Sequence, residues 1–487
     1  MTDTKSKTNF IFIVIMMFIF VIALVLRTVV FLDNRPLWHD EAPVALTVMN
    51  NGFLSIFGNI IDNQKAPPAF WIITKFFAQF ANYNELSLRF FPFVCSIISV
   101  FVFYIFSKSF LDNKFALILA NFLFAINQKL LYFSQELKQY SCDVLFFCIS
   151  VMFFSKMLKV KLDRKNLIIC VAISMFLLFF SLPCFFTIAA FFLYKIFLLD
   201  KKEIKYYMAL CIILIFFSLI YYKIFFFKAY TEEMLYLSEY WEEGFININN
   251  IADISKSLFL YFFYPNAAYI FGALLFLSGC YYLFSEKPIK ISSKVMLFSL
   301  LFIIAASILR LYPLYGRVAV YLIPAAIIIM VKPLDVSIVK SKRFLISFSL
   351  LLLTIPMYLH SDYYTNFFKK DIFTSYDGKE TLMYIKNNYG GNEKVLINKG
   401  SSLMFEYYAK QLNFNISNIE IFDYSKRDEK EFFDYLNSMS KNKTFWIYYA
   451  YTGNMKKEVF LLNRWRDENI QKVKEEYIKN KSFVLKI

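Results

Sequence analysis

What most constrains this chain is the recurrence of apolar runs long enough to cross a bilayer. Phe10–Leu32, Leu88–Phe106, Phe115–Leu131, Val144–Met157, Leu167–Leu182, Phe185–Leu199 and Met208–Phe227 each approach the roughly 17–25 residues that a membrane-crossing helix needs. Tyr269–Phe284, Val295–Leu309, Val318–Val331 and Phe344–Leu359 follow, about eleven in all. Lipid offers a backbone no hydrogen bonds, so such runs predict helices. Composition agrees: 59% of the residues are hydrophobic and 18% charged, against about 45–50% and 25% in soluble domains. The expected fold class is an α-helical polytopic membrane protein.

Lys5 and Lys7 precede the first run, which is longer than a signal-peptide core and has no small-residue cleavage site after it; an uncleaved helix is expected. With the N-terminus in the cytoplasm, the inside loops carry Lys108 and Lys114, then Lys156, Lys159, Lys161, Arg164 and Lys165, then Lys201, Lys202 and Lys205. Lys287, Lys290, Lys294, Lys332, Lys340, Lys342 and Arg343 continue the pattern, whereas the outside stretch Thr231–Glu243 is acidic. This is the positive-inside bias. It predicts a protein of the plasma (inner) membrane, and an odd number of spans places the tail outside the cytoplasm. Basic loops beside anionic headgroups account for the net charge of +16. Membrane lipids are therefore expected partners and nucleic acid is not. The seven Cys lie in or next to the apolar runs without metal-site spacing, and the tail has none.

The expected organisation is a transmembrane domain, 1–360, with a polar first outside loop at 33–87, and a soluble extracytoplasmic α/β domain, 361–487. Within the loop, Pro43–Phe57 and Pro68–Ala81 have helical character, the second amphipathic enough to lie in the interface. In the tail, helix-like Lys379–Asn388, Ser402–Leu412, Glu429–Met439 and Lys456–Lys479 alternate with strand-like Lys394–Asn398, Asn418–Phe422, Thr444–Tyr449 and Ser482–Ile487. That alternation predicts a small, largely parallel sheet. Gly390-Gly391 signals a turn and not a phosphate loop.

Polar residues with chemical capacity gather where the chain leaves the membrane. Arg35-Pro-Leu-Trp-His-Asp-Glu-Ala42 places two carboxylates, Asp40 and Glu41, ahead of an apolar helical pattern. Asp40 as an N-cap with Glu41 in the first turn is one reading, and catalysis is compatible with it. Gln64-Lys65-Ala66-Pro67-Pro68 combines helix-starting prolines with a cation suited to an anionic headgroup. In the second outside loop, Tyr132–Tyr140, Glu136 and Lys138 read in isolation as a snorkelling interfacial pair. Arg310 and Arg317 supply forked donors that suit phosphate. His39 and His360 are the only histidines, so no multi-histidine metal site is expected.

The ordered set Trp38-His-Asp-Glu-Ala42, Gln64-Lys-Ala-Pro-Pro68, Leu88-Arg-Phe-Phe-Pro92 and Tyr132–Tyr140 resembles the GT-C membrane glycosyltransferases, nearest the bacterial family 39-like enzymes. That group includes protein O-mannosyltransferases and the aminoarabinose transferases that modify lipid A. Gly316-Arg317 with Val318–Pro324 is similar to a later family segment. The resemblance implies transfer of a hexosyl or pentosyl group from a polyprenyl-phosphate donor to an extracytoplasmic glycan, lipid or protein. It makes Asp40 the catalytic carboxylate with Glu41 beside it, and Lys65, Lys138, Arg310 and Arg317 the donor-phosphate cations. Trp38, His39, Gln64, Pro67, Pro68, Arg89, Gln135, Glu136 and Tyr140 then line the substrate pocket. Inversion at the anomeric carbon follows by analogy with single-displacement glycosidases.

Two departures stand out: Gln64 falls near the position where some relatives carry a metal-holding Glu, with Ala66 inserted, and Lys138 replaces an Arg. No cofactor is implied with certainty, and a divalent cation on His39 and Asp40 is the one metal arrangement left open. A flippase or transporter, or a non-catalytic scaffold, are the competing classes. A transporter places ionisable groups at the midplane of broken helices, whereas these carboxylates cluster at one face.

Overall fold

A computed structural model of the chain describes residues 2–225, 241–263, 277, 280–281, 283, 289–337, 377–423, 429–440, 444–450, 456–479 and 482–487. The expected span Phe344–Leu359, most of Tyr269–Phe284 and of Thr231–Glu243, the 360/361 domain boundary, Lys287, Lys340, Lys342, Arg343 and His360 lie outside the described residues.

The protein is an integral membrane protein. Six described helices are long and apolar enough to cross a bilayer: Asn9–Leu32, Glu85–Lys108, Tyr140–Met157, Ile204–Phe225, Ile291–Ile308 and Gly316–Asp335. The expected count of about eleven is not established by them. Phe115–Leu131 is not one helix. It divides into Lys114–Ile126 and Gln128–Phe133 at Asn127, whose backbone is extended (φ −62°, ψ 119°). The Asn127 side chain accepts hydrogen bonds from Lys129 and Leu130 N–H, both 3.1 Å, and so caps the second helix. Hydropathy is blind to such a break because both halves are apolar.

The chain forms two compact units. One comprises Met1–Leu32, Lys65–Thr74 and Arg89–Tyr364. In it Thr2–Leu32 packs on Lys114–Ile126, and Cys184–Ile196 on Ile291–Ile308. Arg27 is fully buried there. Its guanidinium donates to Ser96 Oγ (3.0 Å) and to the carbonyls of Ala23 (3.2 Å), Ala125 (3.1 Å) and Phe124 (3.4 Å). The last two belong to the final turn of Lys114–Ile126, where carbonyls lack helical partners and the dipole is negative.

The second unit comprises Asp33–Gln64, Lys75–Leu88 and Thr365–Ile487. Its strands are β1 (Lys394–Asn398), β2 (Ile419–Phe422), β3 (Phe445–Tyr449), β4 (Glu475–Lys479) and β5 (Ser482–Lys486), in the order β2-β1-β3-β5-β4. β1 runs parallel to β2 and β3, while β5 runs antiparallel to β3 and β4. The sheet is thus mixed and not largely parallel. The difference arises because Lys456–Lys479 is no single helix: the helix ends at Glu468, and its charged continuation becomes β4. β4 pairs only with β5, so its polar pattern is that of an edge strand, with no apolar face to distinguish it from a solvated helix. Leu396, Ile447 and Leu485 of the sheet pack with Phe432, Leu436, Leu462 and Trp465 of the helices Glu429–Ser440 and Lys456–Glu468.

Residues 33–64 and 75–87, the greater part of the first polar loop, belong to this same unit. Its helix Ala42–Asn50 packs on Ser402–Gln411. Glu85 pairs with Lys379 at 2.7 Å, Tyr407 Oη donates to the Tyr83 carbonyl at 2.8 Å, and Gln411 Nε2 donates to the Asn82 carbonyl at 3.0 Å. Buried Lys75 donates to the Val48 carbonyl at 2.9 Å, closing the loop on itself.

Candidate functional site

The sequence-selected residues fall into two groups, one in each unit. The first is the turn ahead of Ala42–Asn50. Glu41 and Ala42 N–H both donate to the Trp38 carbonyl, at 2.9 and 3.0 Å, which brings Trp38, His39, Asp40 and Glu41 onto one turn. Glu41 is fully buried, its carboxylate 3.4 Å from the guanidinium of buried Arg35 and accepting the Trp38 N–H at 3.4 Å. Helix capping by Asp40 is not what the turn does: the N-cap residue is Glu41, and no side chain caps the helix. The buried arginine draws the Glu41 carboxylate away from the helix end, and Pro43 in the first turn removes one N–H that a cap would serve.

Asp40, by contrast, is only half-buried, as are His39 and Trp38. His39 Nδ1 lies 3.0 Å from the Gly400 carbonyl, and Leu37 N–H donates to Tyr408 Oη at 2.5 Å. The Trp38 indole N–H is buried with no hydrogen-bond partner among the described residues. Gln64 is half-buried and donates to Asp62 at 3.4 Å. The Glu41 carboxylate is held by Arg35, and no three metal-ligating side chains meet among the described residues.

The second group is in the membrane unit. Gln139 Nε2 donates to the Lys65 carbonyl at 3.1 Å, joining Lys65 and the buried Pro67 and Pro68 to the segment Ser134–Gln139. Gln135 and Glu136 are each 1% exposed, and Lys138 and Tyr140 6%. Glu136 and Lys138 therefore do not snorkel. The short loop between Gln128–Phe133 and Tyr140–Met157 turns inward, pinned by Ser141 Oγ on the Phe133 carbonyl at 2.8 Å. Both amide atoms of Gln135 are buried without a hydrogen-bond partner among the described residues. An unsatisfied buried amide costs about 1–3 kcal/mol, which suits a position that a polar ligand completes.

Two residues that sequence reasoning missed join this group. Lys129 Nζ stands 4.3 Å from the Tyr261 ring centre and within electrostatic range of Glu136. Buried Asp143 accepts from Ser181 Oγ at 2.7 Å. Lys129 was hidden inside an expected span and Asp143 abuts one, so neither left a pattern. The arginines do not form a pair in their exposure. Arg310 is exposed and ends Ile291–Ile308 with φ +57°, whereas Arg317 is half-buried in the 3-10 segment Gly316–Leu322. Arg89 is buried in the first turns of Glu85–Lys108.

Residues 64–222 match the family described as dolichyl-phosphate-mannose-protein mannosyltransferase. ArnT from Cupriavidus metallidurans in the apo state superposes with a TM-score of 0.52 at 10% identity, covering 99% of this chain and 98% of that one. The likeness shows that this chain has the GT-C fold. The same ArnT bound to undecaprenyl phosphate aligns with this GT-C chain at a TM-score of 0.51 and 12% identity, with the same coverage. The Archaeoglobus fulgidus oligosaccharyltransferase, in a complex with Zn and sulfate, aligns at 0.45 and 14% identity over 80% of this chain, which spans 61% of that protein's length. No curated protein matches the sequence. The family match over residues 64–222 and the ArnT-like fold agree with the resemblance that the short motifs carried.

Proposed function

We propose that this GT-C protein transfers a hexosyl or pentosyl group from a polyprenyl-phosphate donor to a glycan, lipid or protein acceptor outside the cytoplasm, with Asp40 as the base. The observation that carries the reading is the division of labour between adjacent carboxylates. Glu41 is buried against Arg35, while Asp40 keeps solvent access. A buried, ion-paired carboxylate is a strut, and an accessible one on a turn braced by that strut is placed for proton transfer.

The acceptor hydroxyl gives its proton to Asp40 as its oxygen bonds to the anomeric carbon. The bond from that carbon to the phosphate oxygen breaks, its electron pair leaves with the lipid phosphate, and the centre inverts. Charge growing on the phosphate calls for fixed cations, a role for Lys65, Lys138, Arg317 and Arg310. The other motif residues, His39, Gln64, Arg89, Gln135, Glu136 and Tyr140 among them, are assigned to sugar selection. The undecaprenyl phosphate in the ArnT structure and the mannosyltransferase match over residues 64–222 support such a donor. The N-terminus then lies in the cytoplasm of a plasma (inner) membrane protein and the sheet domain outside it.

The test is transfer of radiolabelled sugar from polyprenyl-phosphate donors by purified protein in lipid nanodiscs. Asp40→Asn should slow transfer by about 10²–10⁴ with an unchanged thermal midpoint. Equal transfer by the variant and the wild type overturns the assignment.

A further inference from the structure

We propose that Tyr408, on the helix Ser402–Gln411 of the C-terminal segment, is a positioning residue for transfer: its hydroxyl holds the backbone at Leu37 and so sets where the turn Trp38–Glu41 carries Asp40. The inference rests on the transfer reading above and adds the group that places its base.

Bonds within the turn and bonds that leave it have different effects. Trp38 N–H donates to the Glu41 carboxylate at 3.4 Å, and Glu41 and Ala42 N–H donate to the Trp38 carbonyl at 2.9 and 3.0 Å. These set the shape of the turn but not where it sits. The chain enters it through Arg35-Pro36-Leu37, in which Pro36 has no N–H to give. Leu37 is fully buried, so its N–H needs an acceptor, and Tyr408 Oη supplies one at 2.5 Å. Tyr408 is itself held in place. Its buried ring packs edge-on against Tyr407, with ring centres 4.9 Å apart, and lies 5.9 Å from Lys379 Nζ, which pairs with Glu85 at 2.7 Å. The same helix grips the loop at two further points. Lys410 Nζ donates to Asn50 Oδ1 at 3.0 Å, at the far end of Ala42–Asn50. Tyr407 Oη donates to the Tyr83 carbonyl and Gln411 Nε2 to that of Asn82, two residues whose φ of +53° is uncommon outside glycine. Such backbone persists where its surroundings hold it. Loop and helix thus share one frame, and of these ties the one at Leu37 adjoins the turn.

Tyr408→Phe keeps the ring and deletes the hydroxyl. It should lower kcat about tenfold, the scale of one lost hydrogen bond, with KM for donor and acceptor unchanged. Tyr407→Phe deletes a comparable bond from the same helix to the far end of the loop and should leave kcat as in the wild type. Equal falls in both variants mean general loosening and overturn the inference, as does a Tyr408→Phe effect confined to KM. The bond can also be removed from its other side, by incorporating the α-hydroxy analogue of leucine at position 37, which has no N–H. That protein should show the same loss, and combining it with Tyr408→Phe should cost no more, because one bond is lost only once; losses that multiply reject the inference. The ester variant alone gives the answer where Tyr408→Phe does not fold. Hydrogen exchange at Glu41 and Ala42 reads the turn independently of transfer. It should quicken in Tyr408→Phe while Leu396 and Ile447 stay protected, and unchanged exchange rejects the inference whatever the transfer assay gives. Absence of transfer by the wild type with every donor overturns the transfer reading instead, and the exchange result then decides the tie alone.

Discussion

At the scale of single residues, the Arg35–Glu41 pair is the most consequential contact around the turn Trp38–Glu41. Both side chains are at least 97% buried, so removing one partner strands a charge in a low-dielectric interior. Arg35→Met is expected to cost about 3–5 kcal/mol, the usual penalty for breaking a buried pair. Thermal unfolding of the variant and the wild type measures the difference. A parallel case is Gly378, which opens the helix Gly378–Asn388. A Cβ there would meet Tyr448 Oη at 2.7 Å and the Ala450 Cβ at 2.9 Å. Gly378→Ala should therefore destabilise the domain by about 1–3 kcal/mol, as overpacking does.

Elements carry the next level of stability, and the C-terminal sheet has a charge cluster whose pH dependence has a definite sign. Burial pushes the Glu393 carboxyl up, but the Gly390 N–H, the Trp446 indole and Lys486 together hold it below the ordinary range. Burial lowers Lys486, and Glu393 and Glu475 more than reverse this. Because Glu393 titrates lower when folded, its contribution is present above about pH 4.3 and fades as pH falls through its depressed value. The Lys486 contribution is present below about pH 10.4 and fades as pH rises through its elevated value. The cluster thus stabilises the sheet across the interval between them. Glu393→Gln should flatten the loss of domain stability on the acid side, read from urea unfolding at a series of pH values. In the membrane unit the corresponding feature is the break at Asn127. Arg27→Met would leave the Ala125 and Phe124 carbonyls without their donor, at about 1–3 kcal/mol for each group left unsatisfied. A lower thermal midpoint in detergent checks it.

For the whole molecule, the finding with the widest reach is that residues 33–64 and 75–88 form one compact unit with the C-terminal segment. A chain ending at residue 376 would lose Tyr407, Tyr408, Gly400 and Lys379 as partners of the loop. Such a protein should still insert into the membrane, lose transfer, and become open to limited proteolysis around Leu54, already 85% exposed. Full activity and an unchanged digestion pattern would show the loop to stand alone.

Six membrane-length helices and the strands β1, β2, β3 and β5 were legible in the amino-acid order, because apolar runs act within one segment. β4 was not, since an edge strand with a charged face is defined by its pairing with β5 and not by its own pattern. The inward fold of Glu136 and the polar neighbours Lys129 and Asp143 were equally invisible, for their meaning comes from burial among residues distant in the chain. Asp40 and Glu41 are chemically alike as adjacent letters. Only the tertiary structure distinguishes their surroundings, burying Glu41 against Arg35 and leaving Asp40 partly open to water, because burial is set by how the whole chain packs and not by adjacent letters.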